Sequence, residues 1–236
     1  MLKEIGQEKA NKVIDPLVQL LVRMHVTPNA ITSIGLLLNI VAAIIFIIGA
    51  EFGKRGDLSY VGIGGGVILF AGLFDMLDGQ VARVGKMSSR YGALYDSVLD
   101  RYSELIMFLG ICYYLVSHNY FMSSLFAFLA LIGSMMVSYT RARAEGLGIQ
   151  CSVGLMKRPE RVVIIGLSSV ICSIISIFIG GTFKYYVDFV PFYLFETITF
   201  FTFPVLIVAV LANYTAIDRL NHCRKELRKT ETGNKG

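Results

Sequence analysis

The chain has little of what disulfide, redox or soft-metal chemistry requires. Its four cysteines, Cys112, Cys151, Cys172 and Cys223, show no paired spacing, so neither a disulfide framework nor a zinc site is expected. The histidines His25, His118 and His222 stand alone and are expected to be interfacial or solvated residues rather than ligands. No internal repeat is visible. The N-terminus lacks the charged, apolar and small-residue progression of a cleavable signal peptide, and it is expected to remain on the mature protein. A soluble composition is missing too: 55% of the 236 residues are hydrophobic, against roughly 45–50% in a typical soluble domain.

What is present is a series of long apolar runs. Runs of about 18 or more residues are candidates to cross a bilayer, and six occur: Ile31 to Ala50, Tyr60 to Leu77, Ala93 to Val116, Phe121 to Tyr139, Val162 to Gly180 and Ile198 to Ala216. They use most of the chain and leave no room for a separate soluble domain. Ahead of them, Val13, Ile14, Leu17, Val18, Leu21 and Met24 recur at helical spacing with polar residues on the other faces, the pattern of a helix lying in the membrane interface. The expected fold is therefore an all-α integral membrane protein, with six transmembrane helices preceded by an N-terminal interfacial amphipathic helix. It forms a single membrane domain over 1–236: interfacial helix and turn 1–28, transmembrane core 29–217, basic tail 218–236.

Charge sets the orientation, because cytoplasmic loops keep an excess of Lys and Arg. With an even number of spans both termini lie on one side. All of the 22 Lys and Arg except Lys54, Arg55 and Lys184 then fall on or near that side. The termini are thus expected in the cytoplasm, in the cell membrane. The net charge of +5 is accounted for by topology and anionic headgroups, and no nucleic-acid partner is expected.

Against this apolar background, four aspartates between Phe74 and Asp100 stand out. A carboxylate at membrane depth costs roughly 2.5–3.5 kcal/mol on insertion scales, so four uncompensated ones would cost on the order of 10 kcal/mol. Asp75 and Asp78 are three apart, and Asp96 and Asp100 are four apart, so each pair shares a helical face. An intervening turn with Gly85 and Gly92 at its ends folds the two helices antiparallel and can bring the pairs together. Arg83 and Arg101 cannot satisfy all these oxygens. Carboxylates without His or thiolate partners suit Mg²⁺, Mn²⁺ or Ca²⁺, and two such ions about 4 Å apart form a clamp for phosphoryl-type displacement. Gly79 and Ala82 leave space beside Asp75, where Arg83 could pair with a phosphate. Intramembrane acids also mark ion pathways, which keeps a metal-ion or proton transporter as an alternative. A non-catalytic scaffold would tolerate loss of the aspartates.

Asp75, Asp78, Gly79, Ala82, Arg83, Gly92, Asp96 and Asp100 spell D-x2-D-G-x2-A-R-x8-G-x3-D-x3-D, which resembles the signature of the CDP-alcohol phosphatidyltransferases. The resemblance implies transfer of a phosphatidyl group from a CDP-linked lipid to an alcohol, with release of CMP. It implies that Asp75, Asp78, Asp96 and Asp100 hold two divalent cations, Mg²⁺ or Mn²⁺, with Asp96 and Asp100 catalytic and Asp100 the general base. Asp78, Gly79, Ala82, Arg83 and Gly92, with Asn29 and Thr32 from the first span, would bind the nucleotide. R-A-R-A-E at 141–145 followed by R-P-E-R at 158–161 is similar to the branch that uses inositol phosphate. Arg141, Arg143, Arg158, Arg161 and Arg219 are expected around the acceptor phosphate; glycerol 3-phosphate, giving phosphatidylglycerol phosphate, would satisfy the same charge. Members of the family are commonly homodimers, and Gly110, Gly133 and Ser134 in the third and fourth spans permit such packing.

Overall fold

The computed structural model describes residues 15–185 and 195–233. Of the described residues 81% are helical, with α1 at residues 15–23, α2 at Pro28–Phe52, α3 at Ser59–Val84, α4 at Arg90–Ser117, α5 at Phe121–Gly146, α6 at Arg158–Ile179 and α7 at Thr199–Gly233. A two-residue antiparallel pair, Lys184–Tyr185 with Phe195–Glu196, precedes α7.

Local signals explain where the helices start. Thr27 caps α2 by accepting from the Ala30 amide, and Pro28 follows at the first helical position, where its missing N–H costs nothing. Ser89 caps α4 by accepting from the Gly92 amide at 2.9 Å. Asp57 accepts from both the amide and hydroxyl of Ser59 at the start of α3.

The six long helices close into a ring in the order α2, α3, α6, α7, α5, α4 and back to α2. Small residues permit the close approaches. A Cβ on Gly110 of α4 would lie 2.7 Å from the Ala43 backbone of α2, and one on Gly65 of α3 would lie 2.3 Å from Ser169 of α6. One half of the ring is filled by a buried core that includes Phe46, Phe108, Tyr114, Ile165 and Phe201. Phe46 meets Tyr114 edge-on and stacks on Phe201, with centroids 6.0 and 6.4 Å away. The outward faces carry exposed apolar residues on every side, among them Leu37, Ile63, Leu109, Phe128, Ile177 and Val210, as a lipid-facing surface requires.

Five helices, α2, α3, α5, α6 and α7, are long and apolar enough to cross a membrane. The sixth expected span falls on α4, which at 28 residues is equally long. It carries Arg90, Asp96, Asp100, Arg101 and Glu104 in its first fifteen residues, so its long uncharged stretch is confined to 105–117. Val13 and Ile14 of the expected amphipathic helix lie outside the described residues. Within α1, Val18 is buried against Ile31, Leu77 and Val81 with Leu21 packed alongside, while Leu17 is exposed, as is Met24 just after the helix.

The small residues read as free for a dimer are used within the chain. Gly110 packs on Ala43, Gly133 packs on Ala212 and Asn213 of α7, and Ser134 is fully buried. Small side chains on helices let backbones approach, and here the approaching backbone belongs to the same molecule.

Candidate active site

The half of the ring not filled by the apolar core holds two cavities that meet. The smaller, about 240 Å³, is built from the start of α2 (Asn29, Thr32), the end of α3 (Asp78, Gly79, Ala82), the turn through Ser89, and the start of α4 (Gly92, Asp96). The larger, about 1050 Å³, is walled by α3, α4, α5, α6 and Arg219 of α7. Asp96 lines both. Asp75 and Asp100 face the larger cavity, and Asp78 faces the smaller.

The geometry around the acids has three parts. Asp78 is buried, and its Oδ2 accepts from the Thr32 hydroxyl at 2.8 Å. That hydroxyl also lies 3.1 Å from the Pro28 carbonyl; having one proton, it serves the shorter, charge-assisted contact. Next, Gly35 of α2 presents bare backbone to Asp75, whose Oδ1 is 3.2 Å from where a Cβ would sit. Finally, Arg158 from α6 donates through Nη1 to Asp75 at 2.6 Å, and the same nitrogen is ion-paired with Asp100 at 2.7 Å, placing acids of α3 and α4 against one nitrogen.

Among the described residues, no three carboxylate, imidazole or thiolate groups stand in ready-made ligand geometry, since the Arg158 guanidinium lies between Asp75 and Asp100. The donor set nevertheless fits a hard divalent cation. Every ligating atom on offer is a carboxylate oxygen, four aspartates line the two adjoining cavities with Asp96 common to both, and Arg158 is the guanidinium paired with two of them.

The nucleotide set expected from sequence is largely gathered: Asn29, Thr32, Asp78, Gly79, Ala82 and Gly92 all line the smaller cavity. A Cβ on Gly79 would meet nothing within 4 Å, so the open space beside it is real. Arg83 is apart from them. It is exposed, donates from Nε to the carbonyl of Gly79 at 3.0 Å, and lines neither cavity.

Of the arginines expected around the acceptor, Arg141, Arg158, Arg161 and Arg219 line the larger cavity. Arg143 does not; it is exposed on α5. Residues two apart on a helix of 3.6 residues per turn point to nearly opposite sides, so R-A-R cannot direct both arginines inward. Arg161 is fully buried, with Nε and Nη2 donating to Glu104 at 2.7 and 3.0 Å and Nη1 to the Met156 carbonyl at 2.9 Å. Arg219, also buried, donates to the carbonyls of Val153 at 2.8 Å and Val137 at 2.7 Å. Exposed Arg141 pairs with Glu145 one turn on. Lys157, part of the same basic loop, also lines the cavity, and Glu104 lines it without having been anticipated. Glu104 had a visible signal, since it continues the four-residue spacing of Asp96 and Asp100 along one face of α4.

Residues 25–187 match the family model for CDP-alcohol phosphatidyltransferase. Over 163 residues the chain is 33% identical to the phosphatidylinositol phosphate synthase of Mycobacteroides abscessus, covering 68% of this chain and 70% of that one. It is similar to the crystal structure of the Mycobacterium tuberculosis phosphatidylinositol phosphate synthase with CDP-DAG bound: TM-score 0.70, 27% identity, 90% of this chain and 94% of that one. The same enzyme in complex with manganese and citrate aligns with a TM-score of 0.67 at 26% identity, over 88% of this chain and 87% of that one.

Proposed function

The chain belongs to the CDP-alcohol phosphatidyltransferase family, and from that premise we propose that it moves the phosphatidyl group of a CDP-linked lipid to inositol phosphate, giving phosphatidylinositol phosphate and CMP. One observation carries the reading: a small cavity built by the signature residues and a large one bordered by arginines meet at Asp96, so a nucleotide and a phosphorylated alcohol can be held on either side of one group of acids.

In this reading Asn29, Gly79, Ala82 and Gly92 shape the nucleotide side, where bare backbone leaves room for the ligand. Asp75, Asp78 and Asp96 would hold two divalent cations, Mg²⁺ or Mn²⁺, with Asp100 completing the set, and such ions offset the charge that builds on the departing CMP. Thr32 fixes one carboxylate oxygen of Asp78. Asp100 faces the larger cavity and accepts the proton of the attacking hydroxyl; its value lies in position. Arg141, Arg158 and Arg219 supply positive charge for the acceptor phosphate, and Arg161 is held in the wall behind them by Glu104.

We extend the proposal to placement. α4 serves as a sixth span whose charged half faces the site, α1 lies at the interface, and both termini and the site face the cytoplasm. The acyl chains then stay in lipid while the soluble acceptor enters from water. The whole of 1–236 acts as one membrane domain, and a homodimer would use faces other than Gly110, Gly133 and Ser134. A transporter reading is disfavoured by the apolar core that fills the ring beyond the cavities.

The test is acceptor choice. Purified protein given CDP-diacylglycerol and Mg²⁺ or Mn²⁺ should release CMP with inositol phosphate and far less with glycerol 3-phosphate. The reverse preference would move the chain to phosphatidylglycerol phosphate synthesis, and no CMP with any acceptor would end the reading. Asp100→Asn should abolish turnover and keep CDP-lipid binding.

A further inference from the structure

Arg158 and Arg161 lie one turn apart on α6 and both point at acids of neighbouring helices, yet they are held in opposite ways. Arg161 is caged: its fork grips Glu104 with two parallel bonds, its third nitrogen reaches the Met156 carbonyl, and its side chain is 0% exposed. Bidentate geometry of this kind is strong and fixes the orientation of the guanidinium. Arg158 instead serves two carboxylates with a single nitrogen. Its Nε is buried with no hydrogen-bond partner, an arrangement that leaves free energy to be gained by moving. Its side chain is 17% exposed and borders the larger cavity.

Resting on the function proposed above, we propose that Arg158 is a built-in placeholder, which neutralises Asp75 and Asp100 until divalent cations take those carboxylates and then turns to the phosphate of the acceptor. A carboxylate oxygen donated to a cation is no longer available to a guanidinium, so ion and Arg158 compete for the same two acids. Once displaced, the guanidinium stays tethered to the cavity wall beside Arg141 and Arg219. It then needs an anion. Two phosphates could supply one, the pyrophosphate of the lipid donor and the phosphate of the acceptor. Arg158 lines the larger cavity and not the smaller, which assigns it to the acceptor. By linkage the coupling is reciprocal: an anion that holds Arg158 away from the acids strengthens metal binding. Metal and acceptor phosphate therefore reinforce each other's binding.

The experiment measures Mn²⁺ binding to the purified full-length protein by the electron paramagnetic resonance of free Mn²⁺, with no substrate present. Arg158→Gln should bind Mn²⁺ about tenfold more tightly than wild type, within the usual range of coupling between sites. Unchanged or weaker binding overturns the proposal. On wild type alone, sulfate, a tetrahedral dianion that ligates Mn²⁺ poorly, should tighten Mn²⁺ binding about threefold by occupying Arg158; no change overturns it, and this arm decides if the variant does not fold. In turnover, Arg158→Gln should raise KM for inositol phosphate about tenfold and KM for CDP-diacylglycerol less than about twofold, and the opposite split assigns Arg158 to the donor and overturns the transfer to the acceptor. Wild type that binds no Mn²⁺ removes the metal reading itself, which is distinguishable because it appears before any variant is compared.

Discussion

Removing the charge of Glu104 should be among the most damaging single changes outside the signature. Glu104 and Arg161 are both buried, 2% and 0% exposed, and share two bonds of 2.7 and 3.0 Å. Glu104→Gln keeps the shape of the side chain but leaves the guanidinium with no counter-charge, and a guanidinium cannot lose its proton to escape. Breaking a buried ion pair by removing one partner costs about 3–5 kcal/mol. For a chain of this size each kcal/mol moves the midpoint about 2–4 °C, so thermal unfolding in detergent should shift down by on the order of 10 °C. The double variant Glu104→Gln/Arg161→Gln removes both charges and leaves two amides facing each other. It should be less destabilised than the sum of the two single variants, by about 1–3 kcal/mol of coupling. A shift of under about 2 °C for Glu104→Gln, or strict additivity in the cycle, would refute the claim that this pair is a desolvated unit in the cavity wall.

Three further outcomes follow from the same geometry. Gly79→Ala meets open space and gains helix propensity, so it should raise stability by about 0.5–1 kcal/mol while raising KM for CDP-diacylglycerol; Gly65→Ala, whose Cβ would sit 2.3 Å from Ser169 and 2.9 Å from the Gly166 carbonyl, should lower stability by about 1–3 kcal/mol. Equal behaviour of the two in thermal unfolding would contradict the assigned surroundings. Thr32→Val removes the bond to Asp78 and should weaken Mn²⁺ binding about 10–100-fold, the usual effect of losing a group that orients a ligand; an unchanged titration would sever Thr32 from the acids. In the connection between α5 and α6, burial pushes the Cys151 thiol up to about 11, with Cys223 beside it adding to the shift. The reactive thiolate is thus nearly absent at pH 8 and appears only as pH approaches that value. Iodoacetamide should leave Cys151 unlabelled in the native protein and label it after unfolding, as read by peptide mass spectrometry, and rapid native labelling would show the loop to be open.

Much of the site could be read from sequence because its core is local. Asp75, Asp78, Gly79 and Ala82 sit within little more than two turns of α3, and Asp96 and Asp100 lie one turn apart on α4, so helical periodicity alone placed each set on a face. The apolar runs likewise located all six long helices, since a helix in lipid must satisfy its own backbone and cover itself with apolar side chains. The arginines could not be read in this way. Their spacing showed a basic loop, but which of them entered the cavity depended on helix phase and on partners far along the chain.

Sequence by itself therefore determined the helices, the acidic faces and the chemistry of the ligands they can hold, all of which follow from spacing within one turn or one loop. Only the tertiary structure decided that α2 to α7 close into a ring, that Gly110 and Gly133 are spent inside it, that Arg143 points away, that Arg161 is locked to Glu104 across 57 residues, and that Arg158 reaches Asp75 across 83. Such pairings depend on how neighbouring helices are rotated against one another, and no periodicity within a single helix carries that information.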